Sequence, residues 1–202
     1  MALTIPIAHD FICPWCWVGL LQAKRLEEEF GVTIEWKGYE LFPKDMEWGD
    51  YPPGPAVPAN KPPTLSRFDF LLVADDLELP KSQRPNKMRT YNAHQAVEYA
   101  KTEGVGNELV EALYKAYWLE GKEINDLAVL TGVATGIVRD LTALQKAVET
   151  NQFDDQVVDY DDPAYAVGVY NVPTFFIGGE RLAEQPYVIL KKAVAKVLEA
   201  GA

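Results

Sequence analysis

"HDFICPWCWVG", residues 9–19, holds both cysteines of the chain, Cys13 and Cys16, with Pro14 and Trp15 between them. The residues before it, "TIPIAHDF", bring Ile5 and Ile7 into an apolar pattern after Leu3 and read as a strand. The residues after it place Trp17, Leu20, Leu21 and Leu26 at helical spacing and run to Phe30 and a terminating Gly31. Pro14 suits the first position of that helix, where a missing N–H costs nothing. The two cysteines therefore straddle the opening turn of a helix. Three uses compete for such a pair: a structural staple, half of a metal site, or a working dithiol.

A staple across two intervening residues closes almost no loop, so it stabilises little. A structural zinc site needs about four Cys or His ligands. This chain has two cysteines and two histidines, His9 and His94, and nothing resembles a second ligand pair, so no metal is expected. The working dithiol fits best. At the helix N-terminus Cys13 is expected to face unpaired amides and the positive end of the helix dipole, which favour a sulfur anion. Cys16 follows one turn later. Side chains at that spacing lie about 5–6 Å apart at Cβ, close enough for a disulfide after modest adjustment. Cys13 is the expected nucleophile and Cys16 the resolving thiol.

Working outward, "GVTIEWKGYELFP", residues 31–43, alternates Val32, Ile34 and Trp36 with polar partners and predicts a second strand. Strand, helix, strand at this length predicts a parallel unit with a right-handed crossover. Residues 43–63 hold half of the 14 prolines and read as a connector. An alternative is a lid whose Trp48 and Tyr51 shape a substrate groove. From Leu65 to about Asn151 the periodicity is helical. Expected caps are Ser66 for "SRFDFLLVADDLEL" and Asn107 for "GNELVEALYKAYWLEG", and one long helix is expected over "NKMRTYNAHQAVEYAKTEG". Two shorter helices follow, then one or two more within residues 152–169, with Asp162 as cap and Pro163 at the first helical position. Strand character returns at "NVPTFFIGGERLA", residues 171–183, as a hairpin turning at Gly178–Gly179, and an amphipathic helix follows it. Neither strand-bearing end has enough strands for a stable sheet alone, so the two must meet across the helical block.

The sequence has 202 residues and a net charge of −11. That charge repels phosphate backbones and anionic lipids, which argues against nucleic-acid or membrane partners. No apolar run reaches the roughly 20 residues of a membrane helix. The start lacks a secretion-signal pattern, so a cytoplasmic protein is expected. Several further residues have two readings. Asp10 is a turn or capping residue, or tunes the thiols and accepts a proton. His94 packs structurally, or faces the dithiol and shuttles protons. Trp15 is expected to be exposed as an apolar contact for substrate. Trp17 and the aromatic run of residues 114–120 read as core. Pro173 at the mouth of a strand run is, on proline statistics alone, an ordinary trans residue.

The paired signatures, CPWC opening the first helix and "NVPTFFI" before a hairpin and a final helix, resemble the thioredoxin fold. The helical block between them resembles the DsbA-like branch. "DFICPWCWVG", "EWKGYELFP", "NAHQAVEYA", "ALYKAYWLEGKEI" and "GVYNVPTFFIGG" resemble successive landmarks of the FrnE-like group, also known as the 2-hydroxychromene-2-carboxylate isomerase/DsbA-like family. The resemblance implies an α/β thioredoxin-like domain built from residues 1–42 and 165–202. A helical insertion spans residues 65–164, and a proline-rich connecting loop spans residues 43–64. It implies that Cys13 attacks, that Cys16 resolves, and that Val172 before a cis Pro173 lies against the dithiol, with Pro14 and Trp15 beside the substrate. The implied activity is thiol–disulfide exchange on protein or small-molecule substrates, with no cofactor required and glutathione a possible co-substrate, in a monomer or homodimer. The alternative it leaves is a glutathione-dependent isomerase or transferase, whose members typically use a serine in this region. Glu184 in "LAEQP" replaces a small residue of the family pattern "SGAQP", and a carboxylate there repels anions.

Overall fold

The computed structural model describes residues 3–44, 65–85 and 88–201. The connector read as a possible lid, with Trp48 and Tyr51, lies outside the described residues. Strand β1 (Thr4–His9) leads into α1 (Pro14–Phe30), which Gly31 closes in the left-handed conformation by donating its N–H to Glu27 O. Strand β2 (Thr33–Glu40) returns parallel to β1, with Ile5 opposite Ile34 and Ile7 opposite Trp36. Helices α2 (Arg67–Asp75), α3 (Tyr91–Thr102), α4 (Gly106–Trp118), α5 (Leu127–Ala134) and α6 (Leu141–Glu149) follow. A single 3-10 turn (Asp154–Gln156), strand β3 (Val158–Asp159) and the short helix α7 (Asp162–Ala166) lead to the hairpin β4 (Thr174–Ile177) and β5 (Glu180–Ala183), and α8 (Tyr187–Ala200) closes the fold. The strand order is β3-β2-β1-β4-β5, with β4 antiparallel to β1. This is the α/β thioredoxin fold with its helical insertion, as the resemblance implies.

The sheet forms because β1 is apolar on both faces: Ile5, Ile7 and Ala8 are wholly buried. One core joins the sheet to the insertion through Phe11, Trp36, Leu109, Leu113 and Tyr114. The aromatic run at residues 114–120 is core where expected. Tyr114, Tyr117 and Trp118 are buried, and Trp17 packs on Trp118 with ring centroids 5.9 Å apart.

Several local expectations are corrected. Trp15 is half-buried rather than exposed, because Phe68 of α2 packs against it, tilted, with ring centroids 4.8 Å apart. The long helix expected from residue 86 begins at Tyr91, where the amides of Thr90 and Tyr91 both donate to the Glu40 carboxyl at 3.0 and 3.1 Å, an acceptor that only tertiary packing supplies. Asn107 does not cap α4. The helix opens at Gly106, and the Asn107 amide reaches across to Ile34 O at 3.1 Å. Asp161, not Asp162, is the residue before α7, which moves Pro163 one place inward within the tolerated first turn. The expected helical content of residues 152–169 gives way in part to β3, which pairs Val158 and Asp159 in parallel with Tyr39 and Glu40.

Candidate active site

Cys13 occupies the cap position of α1, with extended backbone (φ −73°, ψ 122°). Its carbonyl accepts the amides of Cys16 and Trp17, closing the first helical turn. The sequence reading has the sulfur facing first-turn amides, but no side-chain cap bond forms. Instead the Cys13 thiol donates to Val172 O at 3.4 Å. A neutral thiol carries a proton to give, and a carbonyl takes it where an amide cannot. The two cysteines lie 3.6 Å apart and both are free, so this is the dithiol form. Cys13 retains 6 % exposure and Cys16 none, so a visiting molecule reaches Cys13 first.

The Val172–Pro173 peptide bond is cis. Pro173 sits against α1 at Gly19, where a Cβ would lie 3.0 Å from Pro173 Cγ. The absent side chain at Gly19 therefore lets the helix carrying the dithiol close on the loop carrying Val172. Sequence puts Cys13 and Val172 far apart; β4 beside β1 brings them into contact.

Below Cys16 lies a buried polar cluster. The Asp10 amide donates to Cys16 Sγ at 3.5 Å, and Asp10 Oδ2 accepts the Leu41 amide at 2.7 Å. The other oxygen, Oδ1, is 3.6 Å from His94 Nε2. Tyr114 donates to Asp10 O at 3.3 Å and pairs with His9 Nδ1 at 2.9 Å. All four side chains are buried. Burial pushes the Cys16 thiol well above its ordinary range, and the neighbouring Cys13 adds to the rise, while the Asp10 amide that donates to the sulfur works against it. Burial likewise raises the Tyr114 phenol and holds His9 well below the ordinary imidazole value, with His94 and Lys101 adding to the latter. His94 reaches Asp10 because β2 presents Gly38 to it: a Cβ there would fall 2.6 Å from His94 Nδ1.

The structure thus gathers Cys13, Cys16, Val172 and Pro173 at one point, with Asp10 directly beneath and His94 one contact further in. Pro14 and Trp15 form the outer edge. Around it stand residues the sequence did not single out. Arg67 lies 5.6 Å over the Trp15 ring and pairs with Glu184 at 3.1 Å, so the carboxylate that departs from the family pattern is offset by a cation. Tyr165 and Tyr170 stack at 5.9 Å beside the Val172 loop. No sequence periodicity marks these contacts, since each joins segments distant along the chain. Among the described residues no cluster of three or more His, Cys, Asp or Glu could hold a metal ion, and no helix is long and apolar enough to cross a membrane.

A thioredoxin fold with an inserted helical block, and two free cysteines at the start of its first helix, defines a class of thiol-containing thioredoxin-like proteins. The chain belongs to the DSBA-like thioredoxin domain family, which matches residues 4–194. A sequence relative is the uncharacterized protein YwbO of Bacillus subtilis, 26% identical over 184 residues, which are 88% of each chain. Among solved structures, a probable DsbA oxidoreductase, SCO1869, of Streptomyces coelicolor superposes with a TM-score of 0.70 at 18% identity, covering 98% of this chain and 90% of its own. A 2-hydroxychromene-2-carboxylate isomerase gives 0.65 at 19% identity and 98% coverage of both. The cytosolic disulfide reductase DsbM of Pseudomonas aeruginosa gives 0.64 at 16% identity, covering 96% and 100%. At these identities the structures share the fold.

Proposed function

We propose that the protein is a thiol–disulfide oxidoreductase of the FrnE-like kind, working through Cys13 and Cys16. The observation that carries this reading is the placement of Cys13 Sγ against Val172 O at 3.4 Å, with Cys16 3.6 Å behind it. Cys13 is the more exposed of the two, and it sits where the helix dipole favours negative charge. Cys16 holds its proton firmly, because burial above all, and then the Cys13 sulfur beside it, opposes its ionisation. The roles follow. The Cys13 thiolate attacks one sulfur of a substrate disulfide; a Cys13–substrate disulfide forms and the other half leaves as a thiolate, which takes a proton from water. Cys16 then gives up its proton and attacks Cys13 Sγ. The Cys13–Cys16 disulfide forms and the second substrate thiolate departs. The protein loses two electrons and the substrate gains them; the reverse sequence oxidises a dithiol.

We assign to Asp10 the role of receiving the Cys16 proton. Its backbone already contacts that sulfur, its carboxylate is buried, and Oδ1 has no hydrogen-bond partner. We assign His94 to holding that carboxylate in place. Glutathione-dependent isomerisation uses no second thiol, so the buried Cys16 against Cys13 favours exchange over that alternative. No cofactor is needed for the steps above, and glutathione serves as a thiol or disulfide substrate. One solved structure of this fold is DsbM of Pseudomonas aeruginosa with GSH, which is consistent with that substrate class. We place the reaction in the cytoplasm, where dithiols are kept reduced, and in the direction of disulfide reduction.

The test is Cys16→Ser. The reduced variant, mixed with a disulfide, should accumulate a Cys13 mixed disulfide visible by mass spectrometry, while the unaltered protein passes to its internal disulfide and turns over insulin. An unaltered protein that forms neither species, and reduces no insulin, would remove the exchange reading. Full isomerase activity in Cys16→Ser on a cis-enone would favour the alternative.

A further inference from the structure

Two arginines flank the dithiol, and they differ in one respect. Arg67, on the Trp15 side, is paired with Glu184. Arg84, on the Pro14 side, has no carboxylate partner among the described residues. Its guanidinium lies 4.1 Å over the Trp118 ring, and Nη1 donates to Pro80 O at 3.1 Å and to Ser82 Oγ at 3.3 Å. The segment that carries it is strapped to the end of α4. Tyr117 donates to Pro85 O at 2.9 Å, and Ser82 Oγ donates to Trp118 O at 2.5 Å. Trp118 is itself fixed, its indole N–H donating to Phe11 O at 2.8 Å. Arg84 is thus a half-buried cation held in place from three sides.

It forms one wall of an open groove of about 700 Å³ whose other walls include Ile12, Pro14, Gln83 and Trp118. Pro14 follows Cys13 in the chain, so the groove starts one residue from the reacting cysteine. No acidic side chain lines it among the described residues, although the chain as a whole carries −11. Its size is that of a small-ligand site. A planar guanidinium fixed on an aromatic face is suited to bidentate capture of a carboxylate.

We infer that the groove beside Pro14 is a subsite for the carboxylate of a small peptide-like disulfide, with Arg84 as its anchor. A molecule whose disulfide sits at Cys13 extends over Pro14 and meets Arg84 with its acidic end. The Trp15 side offers no equivalent, because Glu184 already occupies Arg67. Arg84 acts on binding and orientation, and the covalent steps remain those of Cys13 and Cys16. The inference rests on the exchange reading and deepens it by naming the substrate class.

The test compares the second-order rates at which the reduced protein is oxidised by glutathione disulfide, by its ester with the glycine carboxylates blocked, and by neutral bis(2-hydroxyethyl) disulfide. The readout is loss of free thiol. In the unaltered protein the acid should react about tenfold faster than the ester, a ratio worth about 1.4 kcal/mol. The net charge of the protein pulls the other way, so a preference for the acid reports a local cation. Arg84→Met should remove the acid-to-ester preference, and Arg84→Lys should keep part of it. No preference in the unaltered protein, or a preference that survives Arg84→Met, overturns the subsite. Failure of the unaltered protein to react with any of the three disulfides is a different result, and it strikes the exchange reading itself.

Discussion

Replacing Gly38 by Ala tests whether the His94–Asp10 contact below the dithiol is built by close packing of α3 on β2. The added Cβ would stand 2.6 Å from His94 Nδ1, 2.8 Å from Cγ and 3.1 Å from Cβ. These atoms lie near the root of a short side chain, so no flexible end can swing aside. The ring cannot retreat either: Phe11 and His9 flank it with centroids at 4.9 and 5.2 Å. Overpacking of this kind costs about 1–3 kcal/mol. In a chain of this size each 1 kcal/mol moves the melting temperature by about 2–4 °C, so Gly38→Ala should melt roughly 2 to 12 °C lower. Calorimetry of four proteins settles the cause: unaltered, Gly38→Ala, His94→Ala and the double variant. If the imidazole is the obstacle, Gly38→Ala costs far less in the His94→Ala background, a coupling that a double-mutant cycle reads directly. An equal loss in both backgrounds, or none in either, refutes the reasoning.

Three further outcomes are expected. Iodoacetamide should label Cys13 in the reduced protein well before Cys16, and Cys16 labelling should require strongly alkaline solution or denaturant, because burial and the adjoining Cys13 sulfur hold its proton; peptide mapping against pH checks this. His9 is held well below its ordinary value by burial. The unfolded chain therefore binds a proton at this histidine below about pH 6.5 that the folded chain refuses, and stability should fall with a slope of up to about 1.4 kcal/mol per pH unit as acidity increases below that point. Denaturant titrations of the unaltered protein and His9→Gln, in which the slope shrinks, report it. Glu40→Ala leaves the Thr90 and Tyr91 amides without their acceptor at the start of α3. It should cost roughly 2–5 kcal/mol by urea unfolding, with Glu40→Gln costing less because it keeps an acceptor.

Much of the molecule is legible in its sequence where the signal is local. The CPWC pair at a helix start, the apolar strands β1 and β2, and the Gly178–Gly179 turn follow from spacing, and both turn glycines do take positive φ (57° and 84°). What stayed hidden depends on distant partners. Glu40 looks like an ordinary strand residue until Thr90 and Tyr91 arrive to donate to it. Trp15 reads as exposed because Phe68 is not its neighbour in the chain. Two residues suffice for β3, too few for any alternation to show. At the site, Cys13 and Cys16 announce themselves, whereas Arg84 carries no motif and acquires meaning only from the ring beneath it and the proline beside it.

The central strand also sets the order in which the protein can assemble. Ile7 pairs on one side with Trp36, a near neighbour, and on the other with Phe175. During synthesis β1 and β2 leave the ribosome before the partner that completes their sheet, and the whole insertion must be translated before β4 arrives to cover the open edge of β1. Such an unpaired edge is a template for association with other nascent chains. Completion of the sheet therefore waits on late translation, since β1 ends at His9 and the strand that closes its edge begins only at Thr174.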